Sequence, residues 1–416
     1  NSKMSDSSII WRDLLTKKML ICVFTGFTSG LPLFILISLL PAWLSTSGMD
    51  LKTIGLFAII QFPFTWKFIW APLFDRFSFG MGRRRGWLII FQLLLLITIC
   101  SFGFIEPKSQ LTVVAIISTV IAFFSASQDI VIDAYRRELL SDSELGIGNA
   151  IHVNAYKISS LIPGSLALIL ADSFDWEFVF LITGLFMLPG IIMTLLIKEP
   201  LLKYGTPKTL KEAVIEPFKE FKSRKGVKGA FLILLFIFLY KIGDSMATAL
   251  ATPFYLDLGF SMTEIGVIAK NAGLWPGIFG GLAGGIWMIK LGINRALWIF
   301  GFMQILATLS FSWLAISGDN NLILAITVGL EFFAAGLGTT AFIAYIAKTT
   351  HPKYTATQFA LFTGLASVPR TFTNASTGYL VEFFGWYHFF IFCALIAIPG
   401  MLLLFKIAPW NQSETS

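Results

Sequence analysis

The sequence predicts an all-α membrane protein of about twelve transmembrane helices arranged in two six-helix halves. Its composition, the length of its apolar runs and an internal repeat of about 210 residues predict this. Of 416 residues, 56% are hydrophobic and 13% charged, and the mean hydropathy of +0.77 lies far from that of a soluble enzyme. A net charge of +7 suits nucleic acid only where basic residues gather on one exposed face. Here they fall in the gaps between apolar runs, so the expected partner is a lipid bilayer and no nucleic acid. Cys22, Cys100 and Cys393 lie inside apolar runs, and their odd number argues against a disulfide framework.

Windows of roughly 20 residues give spans near Met19–Trp43, Thr53–Phe74, Trp87–Phe104, Leu111–Leu140, Ile147–Ala171, Trp176–Ile197, Gly229–Asp257, Thr263–Ile289, Asn294–Ile316, Leu322–Ala347, Thr357–Phe383 and Tyr387–Ile407. Residues 1–18 are polar and basic without a small-residue cleavage site, so the first run is expected to stay in the membrane. The organisation that follows is an N-terminal segment (1–18), a first bundle (19–197), a lysine-rich central loop (198–228) punctuated by Pro200, Pro207 and Pro217, a second bundle (229–407) and a tail (408–416). With both termini cytoplasmic, one side collects Lys17, Lys18, Arg76, Arg83, Arg84, Arg85, Arg136, Arg137, the central loop, Lys290, Arg295, Lys348, Lys353 and Lys406. The opposite loops keep only Lys52 and Lys108, a strong positive-inside asymmetry.

The repeat aligns Thr53, Ile54, Gly55 with Glu264, Ile265, Gly266; Trp87 with Trp298; Ala134, Tyr135 with Ala344, Tyr345; and Trp176, Phe180 with Trp386, Phe390. Odd spans fall on odd and even on even, so the halves share one orientation, which resembles the major facilitator architecture with its central substrate path. The turn after the second span, with Asp75, Arg76, Arg83, Arg84 and Arg85, resembles that superfamily's cytoplasmic loop signature. A carboxylate there is expected to accept from a neighbouring helix N-terminus and to pair with arginine as a conformational latch, joined by Arg136 and Arg137. A plain positive-inside anchor is the alternative. In the second half Ile286 stands where the carboxylate would be.

Charges away from helix ends are Lys67, Asp129 and Asp133, Lys157, Lys241 and Asp244, Lys270, Glu331 and Arg370, in spans two, four, five, seven, eight, ten and eleven. Spans three, six, nine and twelve carry none, as the peripheral helices of that architecture must. Asp129 and Asp133, four apart, share a helix face with Cβ atoms about 6 Å apart. Desolvation and the second carboxylate both favour a proton on Asp129, which makes it the coupling candidate. Asp133 is either a second proton site or a clamp to Arg136 or Arg137. Glu331 is either a proton site or the partner of Lys270 or Arg370. Lys241 and Asp244, three apart, either neutralise one another or face substrate.

The cations outnumber the carboxylates at these depths, so an electropositive cavity and an anionic substrate are expected. Lys67, Lys157, Lys241, Asp244, Lys270 and Arg370 are candidate substrate contacts, with Tyr156, Asn271, Trp275 and Asn374 supplying hydrogen bonds and flat faces for sugar rings and amides. Packing is the plainer reading of the aromatics. His152, His351 and His388 lack metal-site spacing; no metal, cofactor or catalytic constellation is expected, and the chain is read as no enzyme.

Several strings together carry a narrower resemblance: Leu31, Pro32; Ala42 to Leu44; Leu51 to Gly55; Lys67 to Leu73 with Asp75, Arg76; Gly82 to Trp87; and Ser125 to Ala134. They resemble the AmpG-type muropeptide permeases of Gram-negative inner membranes, specifically over the first third of the chain and architecturally beyond it. The resemblance implies proton-driven import of N-acetylglucosaminyl-anhydro-N-acetylmuramyl peptides, anionic glycopeptides, from periplasm to cytoplasm for peptidoglycan recycling and β-lactamase induction, by a monomer. Some members carry further C-terminal hydrophobic segments; the chain ends soon after Lys406, so what they supply is expected to be absent. Acetyl-coenzyme A or another large anion is the alternative substrate, and a membrane-embedded transferase or receptor the remote one.

Overall fold

A computed structural model describes residues 16–70, 73–74, 77–140, 142–200, 210–349 and 355–412. Among them, helix occupies every one of the twelve expected spans: α1 Lys17–Thr46, α2 Leu51–Trp66, α3 Arg85–Phe104, α4 Leu111–Leu139, α5 142–173, α6 Trp176–Leu196, α7 210–257, α8 262–291, α9 Ile293–Ser317, α10 Asn321–Thr349, α11 355–384 and α12 386–407. Nine helical stretches of the described residues are long and apolar enough to cross a membrane. One of these, Gly364–Ile407, runs 44 residues and takes in most of α11 and all of α12. The two separate at Gly385, where φ of +75° breaks the helix without the steric cost a side chain would incur.

The helix starts are written locally. Thr16 accepts the Met19 N–H at 3.3 Å, Asp50 accepts the Thr53 N–H at 3.0 Å, and Ser261 with Glu264 closes a reciprocal capping box on α8. Inside α5 and α11 one π-helical turn begins beside a proline in each half, at Ile162–Leu166 and Pro369–Thr373. The aromatic pair of the repeat recurs as well: the Trp176 and Phe180 rings lie 5.8 Å apart, and those of Trp386 and Phe390 6.0 Å. Large apolar side chains face outward on the helices that carry charge only near their ends, among them Ile97 on α3, Leu196 on α6, Phe302 on α9 and Phe405 on α12. Such surface is stable only where the solvent is lipid.

The described residues pack as two compact units. One holds the chain through Leu40 and from Lys67 to Pro200; the other holds Pro41–Trp66 and everything from Leu210 onward. α2, counted with the first bundle in the sequence, packs with α11 of the second unit. A Cβ at Gly378 would collide with the Leu51 carbonyl, so backbone meets backbone there. Lys52 pairs with Glu382 at 2.9 Å and lies over the Tyr379 ring, and Thr65 and Ser367 share a hydrogen bond of 2.5 Å.

The central segment differs too. From Leu210 to the break at Gly226 (φ +73°) it is helical, where a polar loop was expected. Phe221 explains this, being buried against Phe362 with ring centroids 5.0 Å apart, while Arg224 donates to the last-turn carbonyl of Thr349 on α10 at 2.6 Å. Phe236, Tyr240, Phe300, Phe342 and Tyr345 form the core this helix joins.

Candidate functional site

In the first unit the site is built on α4. Gln128 exchanges two hydrogen bonds with Thr28 of α1, accepting from its hydroxyl at 3.0 Å and donating to its carbonyl at 2.9 Å. Trp70 donates its indole N–H to Ser127 at 3.0 Å. These contacts fix the rotation of α4 and leave Asp129, the next residue, accepting from the Ser29 hydroxyl at 2.5 Å. The charged neighbours of Asp129 are Lys67, Asp133 and Arg136. Asp129 is half-buried, and the Ser29 hydroxyl is able to donate to its carboxylate or to accept from its acid form.

One turn on, Asp133 is exposed and pairs with Arg136 at 3.0 Å. Arg136 also reaches Nδ1 of His152 at 3.1 Å, and that nitrogen lies 3.0 Å from the Thr25 hydroxyl. His152, read in the sequence only as unsuited to metal, thus ties α5 to α1 and α4. The side chain of Arg137 lies outside the described residues.

The arginine turn after α2 also finds partners that sequence reasoning missed. Arg84 is buried and makes a bidentate contact to Glu138 at 2.7 and 3.2 Å, with Arg83 at 3.7 Å. Glu199 accepts the Arg84 and Arg85 backbone N–H groups at 2.7 and 3.1 Å, which satisfies the N-terminus of α3. Arg85 donates to the Thr194 and Leu195 carbonyls at the end of α6, both at 3.0 Å. Glu199 is thus a carboxylate at a helix N-terminus. Asp75 and Arg76, expected in that role, lie outside the described residues. Both glutamates sit at span ends, where a charge carries no distinctive sequence signal.

The second unit brings three of its candidates together. Lys241 Nζ donates to Asp244 at 3.0 Å, to Gln304 Oε1 at 2.6 Å and to the Ala335 carbonyl at 3.2 Å. Glu331, fully buried on α10, accepts from the Thr308 hydroxyl at 3.3 Å and lies within hydrogen-bonding reach of Asp244. Asn374 is buried and exchanges hydrogen bonds with Ser245 at 3.0 and 3.3 Å. Asn271 accepts the Trp275 indole N–H at 3.1 Å, one turn along α8. In the first unit, Tyr156 packs its ring 5.3 Å from that of Phe34, next to the half-buried Lys157. Lys270 and Arg370 are half-buried on α8 and α11.

Outside the spans, two groups are perturbed. The Thr53 hydroxyl and N–H hold the Asp50 carboxyl below its ordinary range, and the hydrogen bond to Glu382 raises Lys52 above the lysine range.

The Major Facilitator Superfamily model matches residues 22–374. The chain is 41% identical to the anhydromuropeptide permease of Escherichia coli, over 92% of this chain and 78% of that one. It is 35% identical to transporter AmpG 4 of Rickettsia felis, over 91% and 94% of the two chains. Among solved structures it superposes on the nucleoside transporter NupG with a TM-score of 0.73 at 13% identity, covering 96% of this chain and all of that one. A bacterial homologue of the lysosomal transporter Spinster, in its inward-facing form, gives 0.75 at 13% identity, over 94% and 96%. With these matches spanning both units, the chain is a secondary transporter and belongs to the AmpG-type anhydromuropeptide permeases of the Major Facilitator Superfamily.

Proposed function

We propose that this transporter imports anhydromuropeptides across the bacterial inner membrane, from periplasm to cytoplasm, by alternating access driven by the proton gradient. The observation that carries the reading is the 41% identity to the Escherichia coli anhydromuropeptide permease over nearly the whole chain. The charge pattern supports it, because Lys67, Lys157, Lys270 and Arg370 set cations within the apolar spans, matching in sign the several carboxylates of a peptide-bearing sugar. Both termini are cytoplasmic in this reading, on the side where lysine and arginine collect. It acts as a monomer.

Asp129 carries the coupled proton. With its proton, it donates or accepts within the Ser29 contact and leaves Lys67 free to hold substrate; without it, it pairs with Lys67. Proton binding and substrate binding are thereby linked through one lysine. Asp133, in an exposed pair with Arg136, serves as a gate or clamp, and Arg83, Arg84 and Arg85 secure the helix ends about which the first unit moves. Tyr156, Asn271, Trp275 and Asn374 shape the sugar and amide contacts.

Uptake of labelled anhydromuropeptide into proteoliposomes tests the reading. Accumulation that disappears when the pH gradient is collapsed is the expected result. Stronger competition by coenzyme A than by muropeptide would overturn the substrate assignment, and ligand binding without flux would overturn transport itself.

A further inference from the structure

The three charged groups of the second unit do not balance. Lys241 spends its three N–H donors on Asp244 Oδ2, Gln304 Oε1 and the Ala335 carbonyl, so it has none left for Glu331. Glu331 Oε2 takes the Thr308 hydroxyl. Two buried oxygens remain without a hydrogen-bond partner, Asp244 Oδ1 and Glu331 Oε1, and they belong to two carboxyl groups within reach of each other. Glu331 has no solvent exposure at all. Were both carboxyls ionised, the cluster would hold one uncompensated negative charge away from water, with two anions in contact; neither condition is sustainable in a low-dielectric interior.

One added proton removes both faults. Placed on Glu331 Oε1 and donated to Asp244 Oδ1, it partners the two orphan oxygens and leaves a neutral set of Lys241 cation, Asp244 anion and Glu331 acid. We propose that Asp244 and Glu331 form a second proton-binding site, in the C-terminal unit, that holds one proton between the two carboxyls with Lys241 as counter-charge. Among the described residues, the other titratable groups around it are Tyr240 and Tyr255 on α7 and Cys393 on α12. None of them supplies a positive charge, so the balance rests on Lys241. A cavity of about 10 Å³ bordered by Asp244, Gln304 and Thr308 adjoins the pair, on the scale of a single water site. The assignment follows from charge and hydrogen-bond accounting and stands whether or not the substrate is a muropeptide.

The full-length protein in lipid nanodiscs tests it by infrared spectroscopy at neutral pH. The expected result is a protonated-carboxyl C=O band that shifts in heavy water. It disappears in Glu331→Gln, where the amide donates to Asp244 in place of the acid. It also disappears in Asp244→Asn, where Glu331 ionises against Lys241, so either variant suffices if the other fails to fold. Lys241→Met, which deletes the counter-charge, is expected to enlarge the band as a further proton is taken up. A wild-type minus Glu331→Gln difference that shows only loss of an ionised carboxylate would overturn the site. Because the band needs no substrate, its absence leaves the transport reading intact, and a failed uptake assay leaves the band unaffected.

Discussion

The first unit places one half-buried carboxyl, Asp129, against a serine hydroxyl with Lys67 among its charged neighbours, whereas the second places two carboxyls, Asp244 and Glu331, beside a lysine already committed to three acceptors. In the first arrangement the proposed coupling has Lys67 serve the ligand. In the second, Lys241 is locked by Gln304 and a backbone carbonyl, so only a proton is left to change the charge of the cluster. The lesson is that an ionisable residue in a membrane helix is defined by what its counter-charge is free to do.

The largest effect expected from breaking this comparison is at Asp129. Asp129→Asn is expected to abolish gradient-driven accumulation while leaving substrate exchange, read as uptake against counterflow in the same vesicles. Wild-type accumulation by that variant would remove Asp129 from coupling. The lysines should then separate. Lys241→Met breaks a half-buried pair and is expected to lower stability by about 1–3 kcal/mol, measured by thermal unfolding in detergent. Lys67→Met is expected to shift stability little and transport much, and equal melting losses would mean that both lysines are structural.

A smaller effect belongs to the cations of the repeat-related helices. Lys157→Ala and Arg370→Ala are each expected to weaken binding of peptide-bearing ligand about tenfold, the value of one charge-assisted hydrogen bond. Equal loss for the uncharged sugar in titration calorimetry would show that they act through packing instead. The smallest effect is at the exposed pair of α2 and α11. Lys52 is raised in the folded protein, so its contribution is complete below the ordinary lysine range and is lost as pH rises through the raised value. Asp50, which is lowered, contributes above the ordinary carboxylate range and loses that contribution as pH falls through its depressed value. Lys52→Met is expected to flatten only the alkaline limb of melting temperature against pH; an unchanged alkaline limb would show that the Glu382 pair contributes nothing.

The apolar helices were legible because a bilayer demands about 20 apolar residues at a time, and landmarks of the repeat, Trp176 with Phe180 and Trp386 with Phe390, return as ring pairs of similar spacing. The charges of the candidate site were legible for a similar reason: Asp129 and Glu331 interrupt apolar runs where their cost makes them conspicuous. Their partners were not. Ser29, Thr28, Gln128, Thr308 and Gln304 carry no charge, lie in other helices, and become recognisable only when those helices are packed side by side. Glu138, Glu199 and His152 were hidden differently, since polar residues at span ends are ordinary.

Composition, run length and repeat thus determined the class of this protein, its helices and its inventory of intramembrane charge, because each follows from the cost of placing a group in lipid. Tertiary structure alone decided that α2 packs with the C-terminal helices and that Glu331 meets Asp244 and Lys241. Those outcomes depend on which faces approach closely enough for backbone contact at Gly378 or for a hydrogen bond at Thr308, and distance between helices is written in no single segment.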